Sequence, residues 1–229
     1  MKFLRWIGFL FLILIIFLSA LFLIYNESIP EGKEGAEAEE LTDQLFTALN
    51  KPAFDSLKEL RWSFPRGHHF IWNKENNQVN VKWKDFEVDL QLNNLEGRAY
   101  ARGELLEGSE QEKAIQKAWA LFANDSFWLI APYKARDPGT TRSLVTLDGQ
   151  KKGLLVTYTS GGVTPGDSYL WTFDETGKPK SWKMWVKIIP IGGLEFSWEG
   201  WQLYEGAWFA PIHQGPGPLS VDLKNLSIR

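Results

Sequence analysis

The stretch GGVTPGDSYLWTFDETGKPKSWKMWVKIIPIGGLEFSW (Gly161–Trp198) decides the fold class. Tyr169, Trp171 and Phe173 stand at every second position, as do Trp182, Met184, Val186 and Ile188, and then Leu194, Phe196 and Trp198. A period of two places each set on one face of a β-strand. Between the sets lie Gly161-Gly162, Pro165-Gly166-Asp167, Thr176-Gly177-Lys178-Pro179 and Pro190-Ile191-Gly192-Gly193, residues that supply positive φ or a preset φ at turns. Strand, tight turn, strand is a hairpin series, so the sheet is antiparallel.

The pattern extends in both directions. Upstream, Leu60, Trp62 and Phe64 precede the turn Pro65-Arg66-Gly67, and His68, Phe70 and Trp72 follow it. Val79, Val81 and Trp83 then give way to Phe86, Val88, Leu90 and Leu92, with a change of phase across Lys84-Asp85. Leu154, Val156 and Tyr158 precede the quoted stretch. After Gly215-Pro216-Gly217-Pro218, the segment Leu219–Ile228 alternates again and is expected to close the sheet.

Two segments have helical period instead. Leu41, Leu45, Ala48 and Leu49 share a face that Lys51-Pro52 ends, and Ile115, Ala118, Trp119 and Phe122 form a stripe behind an expected Ser109–Glu112 capping box. The expectation is a mainly β, α+β domain. It consists of about eleven strands in hairpin connection, an antiparallel sheet wrapped around a helix, preceded by one transmembrane helix.

That helix is read from Trp6–Tyr25, twenty residues without a charge, of which fifteen are Leu, Ile or Phe. At 1.5 Å per residue it spans about 30 Å, the thickness of a bilayer's hydrocarbon core. Lys2 and Arg5 precede it and six glutamates between Glu27 and Glu40 follow, so the positive-inside rule places the N-terminus in the cytoplasm and the domain outside. A cleaved signal peptide fits less well, since cleavage after Ala20 would put bulky Leu18 where a small residue is required. The expected organisation is a cytoplasmic stub and inner-membrane anchor at 1–25, a flexible Gly/Pro-containing acidic spacer at 26–36 and the β-rich domain at 37–229.

Composition narrows the chemistry. The net charge is −3, and the part beyond Tyr25, without Lys2 and Arg5, is more acidic still. Such a domain lacks the clustered cations that displace counterions from nucleic acid. No cysteine is present, which removes disulfides, thiolate metal sites, cysteine nucleophiles and an acylated lipobox. His68 and His69 are neighbours on a strand and point to opposite faces, while His213 stands alone, so no metal site is expected. Gly161–Asp167 lacks the G-K-[ST] ending of a phosphate loop and is read as a hairpin turn. Gly166–Leu170 misses the second glycine of a nucleophile elbow. Glu195 and Glu199 are about 13 Å apart along a strand, too far for a paired carboxylate mechanism. Neither a catalytic residue nor a cofactor is assigned.

What remains is an aromatic load of twelve Trp and fifteen Phe. Trp62, Trp72, Trp83, Trp171, Trp182 and Trp198 fall on alternating strand positions. With Phe196 and the helix stripe Ala118, Trp119 and Phe122 they are the candidate lining of an apolar pocket. A compact β core has the same pattern. Trp185 lies on the opposite face of its strand from Trp182, so both faces there carry large apolar groups.

The stretches FWLIAPYKARDPG (Phe127–Gly139), Gly161–Val186, IPIGGLEFSWEGW (Ile189–Trp201) and ALNKPAFDSLKELRWSFPRGHHFIWNK (Ala48–Lys74) resemble a group of exported proteins found mainly in Bacteroidota. The fold of that group is similar to the outer-membrane lipoprotein carriers, the LolA-like group. The resemblance implies a half-open barrel of about eleven strands whose helices plug an apolar concave face that receives acyl chains in the carriers. Within the resembling motif, Lys134, Arg136 and Asp137 are candidates for a polar rim, Lys134 and Asp137 foremost. The leading functional expectation is a membrane-tethered binding module for an apolar ligand: a lipid, an acyl chain or a lipoprotein. A non-catalytic assembly protein contacting a membrane complex and an enzyme with residues on distant loops are the competing classes.

Overall fold

The computed structural model describes residues 2–229, with the side chains of residues 2–5, 15, 18, 20, 21, 23 and 24 outside the described set. Helix α1 (Lys2–Tyr25) comes first, and its described side chains are all exposed, Phe9, Leu10, Phe11, Ile16 and Phe17 among them. Among the described residues no helix is long and apolar enough to cross a membrane, several apolar positions of α1 falling outside them. The membrane-spanning expectation is therefore a proposal, taken up below.

Helix α2 (Ala36–Leu49) buries Ala38, Thr42, Leu45 and Leu49, a face slightly rotated from the expected one, because Leu41 and Ala48 are only half-buried. It ends at Asn50, whose left-handed φ of 56° turns the chain. Pro52 then occupies the first turn of α3 (Lys51–Ser56), where its missing N–H leaves no bond unmade. The proline that ends one helix thus opens the next.

Six strands follow: β1 (Glu59–Phe64), β2 (His68–Asn73), β3 (Gln78–Trp83), β4 (Phe86–Gln91), β5 (Gly97–Ala101) and β6 (Glu104–Leu105). Next comes helix α4 (Gly108–Ile130), which runs into a 3-10 turn at Ala131–Lys134. Ser109 lies inside α4 behind an N-cap at Glu107 that makes no side-chain cap hydrogen bond, so the expected Ser109–Glu112 capping box does not form. The helix starts two residues too early for it, at Gly108 with φ 56°.

Beyond α4 lie β7 (Thr140–Thr146), β8 (Lys152–Tyr158), β9 (Asp167–Phe173), β10 (Pro179–Trp185), β11 (Leu194–Ser197), β12 (Gln202–Tyr204), β13 (Ala207–Phe209), β14 (Ile212–Gln214), β15 (Ser220–Asp222) and β16 (Lys224–Ile228). All pairings are antiparallel. One sheet has the order β16-β1-β2-β3-β4-β5-β6, a second has β11-β10-β9-β8-β7, and β12-β13 and β14-β15 are short hairpins.

The strand count exceeds the expected eleven. Pieces of two or three residues such as β6, β12 and β14 are too short for a period of two to be visible. The run read as Trp182–Ile188 stops at Trp185, and Ile188 projects from a loop at 66% exposure. Leu219–Ile228 is two strands with different partners: β15 pairs with β14, and β16 pairs with β1.

That division joins the two large sheets. Beyond the end of β11, Glu199 and Ile212 exchange backbone hydrogen bonds at 2.9 and 3.4 Å. Ile212 opens β14, β14 pairs with β15, and the chain passes through Leu223 into β16 against β1. The Leu223 N–H donates to Pro211 O at 2.8 Å, so the passage is itself hydrogen-bonded.

Register explains the core. In the seven-stranded sheet Trp62 faces Phe70, Phe70 faces Val81, Val81 faces Val88 and Val88 faces Ala99, one buried row across five strands. In the five-stranded sheet the row is Leu154, Trp171, Trp182 and Phe196. Helix α4 packs on β3, β4 and β5 with one face, while its Phe127 and Trp128 meet Trp182 of β10 at 5.9 and 5.2 Å between ring centres.

The opposite face of the five-stranded sheet carries a separate small cluster of Val145, Leu155, Leu170 and Trp185. This accounts for the two-faced β10. Residues 26–36, expected as a flexible spacer, are held along this sheet instead. Lys33 and Leu144 exchange two backbone hydrogen bonds of 2.8 Å, and a Cβ on Gly32 would stand 3.2 Å from a Val145 methyl.

Candidate functional site

A cavity of about 430 Å³ lies between α4 and the five-stranded sheet. Helical spacing places Trp119, Phe122, Ala123, Ser126, Phe127 and Ile130 of α4 on its wall. Tyr158, Tyr169, Trp182 and Met184 contribute from the sheet, and Trp72 and Leu92 from the seven-stranded side. The mouth is made by residues 160–164, between β8 and β9, and residues 186–189, after β10.

Asp167 ties these two mouth loops together. Its carboxylate accepts the backbone N–H of Lys187 at 3.0 Å and the hydroxyl of Thr164 at 2.5 Å, and the residue is 5% exposed. Gly166, at φ 102°, brings the first loop against the Lys187 side chain. An aspartate closing a hairpin turn carries no special pattern, so nothing in the sequence marked this one.

Of the expected lining, Trp72, Trp119, Phe122 and Trp182 stand on the cavity wall, and the rim residues Lys134 and Asp137 stand there too as an ion pair. The others surround the cavity from within the core. Trp62 stacks on Phe70 at 4.9 Å and Trp83 on Phe86 at 5.2 Å. Trp171 and Trp198 pack on Trp182 at 4.9 and 5.2 Å, and Phe196 meets the edge of Trp128 at 4.9 Å. Ala118 is fully buried away from the cavity wall, with Ala114, Leu121 and Leu129, where a small side chain permits close approach to the seven-stranded sheet. Arg136 leaves the rim for α2, bonding Glu39 at 2.9 Å and Asp43 at 2.5 Å. Arg142 at 2.6 Å, followed by Arg136, holds the Glu39 carboxyl below its usual range.

Three of the residues that line the cavity carry buried polar atoms that the protein does not satisfy. Among the described residues Trp72 Nε1, Trp182 Nε1 and Tyr158 Oη are buried with no hydrogen-bond partner. Each leaves a donor whose desolvation is uncompensated, a cost of about 1–3 kcal/mol apiece. Burial, reinforced by Asp137, drives the Tyr158 phenol well above its ordinary range, so this group is a donor and stays protonated. Asn77 and Asn124 also line the wall.

Two titratable features lie outside the cavity. His68 Nδ1 is 2.7 Å from Asp125 Oδ2, joining β2 to the core face of α4 across 57 residues of sequence, and burial pushes the Asp125 carboxyl up to about 6 despite that partner. His213 is fully buried among Trp128 and Trp198, with Nδ1 2.9 Å from Ser197 O and Nε2 unpaired, and burial pulls its imidazole down to about 4. Among the described residues no three His, Asp or Glu converge as metal ligands would.

No sequence-family model matches this chain, and no curated protein matches it. It is similar to a solved DUF1329 family protein from Desulfovibrio piger, with 12% identity, 84% of this chain and 93% of that chain covered, and a TM-score of 0.40. It is also similar to a domain described as outer membrane lipoprotein-sorting from Vibrio parahaemolyticus, with 9% identity, 84% and 93% covered, and a TM-score of 0.38.

Proposed function

We propose that this chain is a membrane-tethered module, held outside the cytoplasm, that binds an apolar ligand such as a lipid or acyl chain in the cavity between α4 and the five-stranded sheet. The observation that carries the reading is the lining. A cavity of about 430 Å³ with an aromatic and aliphatic wall is built like a site for an apolar ligand, and its volume is within the range of about 300–1,000 Å³ for small-molecule sites. Trp119, Phe122, Trp182 and Trp72 supply apolar surface, and Lys134 and Asp137 supply the charged groups of the lining.

Helix α1 is the proposed anchor. Twenty consecutive uncharged residues with fifteen Leu, Ile or Phe insert with a favourable free energy of several kcal/mol, and a helix over Trp6–Tyr25 is about 30 Å long. The β-rich domain from residue 37 onward, with residues 26–36 strapped to it, is the proposed binding unit.

The test is mass spectrometry of organic extracts from the full chain purified gently from membranes, followed by titration with brominated fatty acid. Co-purifying lipid and saturable quenching of tryptophan emission are expected. A chain that carries no lipid and shows no saturable quenching refutes the binding reading and shifts the assignment to an assembly protein.

A further inference from the structure

The last residue of α1 is Tyr25, and the two that follow are clamped to the two ends of the loop after β10, at residues that do not themselves line the cavity. Asn26 still donates its N–H to Phe22 O at 2.9 Å, while its side-chain oxygen accepts the Gly192 N–H at 2.8 Å. Glu27 donates its N–H to Gly192 O at 3.0 Å, accepts the Trp185 indole N–H on its carbonyl at 2.7 Å, and holds Lys183 Nζ on both carboxylate oxygens at 2.8 and 2.7 Å. A Cβ on Gly192 would collide with the Trp185 ring, so this contact is built for glycine. Trp185 and Gly192 bracket the very loop that forms one lip of the cavity and exposes Ile188.

Two residues of extended chain reach at most about 7 Å. An apolar helix that ends at Tyr25 therefore holds this lip beside whatever surface the helix leaves. We propose that the cavity's mouth is docked on the outer surface of the bilayer that holds α1, with Ile188 entering the lipid interface, so that ligand passes between bilayer and cavity without crossing water. The proposal rests on the reading of α1 as a membrane anchor. Beyond that it adds an orientation, a contacting residue and an occupant for the exposed loop. Exposed Ile188 at the tip, half-buried Ile189 behind it and the exposed Lys187 beside it form an apolar tip with a cationic flank, suited to acyl chains below and lipid phosphate above. Asp167 makes the two lips one unit, so docking of one positions both.

The chain has no cysteine, so Ile188→Cys gives a unique labelling site. The full-length variant, carrying an environment-sensitive fluorophore, is reconstituted into phosphatidylethanolamine–phosphatidylglycerol vesicles with and without lipids brominated near the glycerol end. A blue-shifted label quenched by the bromolipids is expected, while Leu105→Cys on β6, an equally apolar exposed position away from the mouth, stays aqueous and unquenched. A Gly/Ser insertion of about twelve residues between Tyr25 and Asn26 leaves the clamp intact but lets the domain drift roughly 20 Å, and the quenching at position 188 should fall several-fold. Sedimentation with the vesicles but an aqueous label at 188 overturns the docked mouth alone. Failure to sediment overturns it together with the anchor. Undiminished quenching after the insertion overturns the role of the clamp. Val163→Cys on the other lip repeats the measurement if Ile188→Cys does not fold. Fatty-acid quenching of tryptophan in the same preparations reports cavity binding independently.

Discussion

The carboxylate of Asp167 accepts the backbone N–H of Lys187 at 3.0 Å, binding the start of β9 to the loop that leaves β10. Together with the Thr164 hydroxyl it fixes both lips of the cavity through one buried side chain. Asp167→Ala leaves the Lys187 N–H and the Thr164 hydroxyl without their acceptor, which is expected to cost about 1–3 kcal/mol. Denaturant unfolding measures that loss. Hydrogen exchange confined to residues 160–166 and 186–193 should accelerate, and fatty-acid affinity should fall, while exchange in the seven-stranded sheet stays as it was.

The division of α4 into two faces separates two substitutions that look alike in sequence. Ala123 lies on the cavity wall and is half-buried, so Ala123→Phe should fill the cavity, abolish saturable quenching by brominated fatty acid and leave the melting temperature close to that of the parent. Ala118 is fully buried against the seven-stranded sheet, and Ala118→Phe overpacks that contact at a cost of about 1–3 kcal/mol or more. Binding retained in a folded Ala123→Phe variant would place the ligand elsewhere.

Much of the fold was legible because side-chain period and strand geometry coincide. Trp171, Trp182 and Phe196 each belong to a run of large apolar residues at every second position and lie side by side in the sheet. Helix α4 was harder to read, since a helix buried on two sides has no single apolar stripe. Ala118 and Phe122 are adjacent on one side of the helix, yet Phe122 reaches the cavity wall while Ala118 is buried away from it. The site is legible only in part. Trp72, Trp119, Phe122, Trp182, Lys134 and Asp137 come together, whereas the His68–Asp125 pair and the Asp167 clamp join segments far apart in the chain, or within a turn whose composition is ordinary. The hold of Glu27 on Trp185 was hidden for another reason: an acidic Gly/Pro segment after an apolar helix has the composition of a linker, and only the tertiary fold supplies its acceptors and donors.

Gly192→Ala tests that hold. The added methyl would come within 2.4 Å of Trp185 Cδ1 and 2.8 Å of Glu27 O, distances no side chain tolerates, and neither neighbour can retreat without opening the clamp. Residues 26–33 should become sensitive to limited proteolysis in the folded protein. Lys183→Ala, which removes only the exposed ion pair with Glu27, should change stability by no more than about 1 kcal/mol and leave the clamp closed. Equal proteolysis of the two variants would show that the backbone contacts at Gly192 are not what retains the segment.

The pH dependence of stability should expose His213 and Asp125 as opposing contributors. The folded imidazole of His213 titrates near 4 against an ordinary 6.5, so between those values the unfolded chain binds a proton that the folded chain refuses. Stability from this group is complete above pH 6.5 and declines as the pH falls towards 4, by about 3 kcal/mol. Asp125 runs the other way. Burial, against the pull of His68, raises its folded value to about 6 from 3.8, so the folded chain holds a proton that the unfolded chain has lost, and stability is greatest below 3.8 and declines as the pH rises through 6. In the parent these slopes offset each other across the window from pH 4 to 6. Asp125→Asn removes the contribution that strengthens on acidification and should make the loss of stability at low pH steeper than in the parent. His213→Leu removes the one that weakens and should flatten or reverse it, even though Ser197 O loses its donor and the absolute stability falls. Urea unfolding of the three proteins at half-unit steps from pH 4 to 7 checks this, because the other carboxylates and histidines are common to all of them, His68 alone losing its partner in Asp125→Asn. Parallel curves would mean that neither buried group titrates where its surroundings place it.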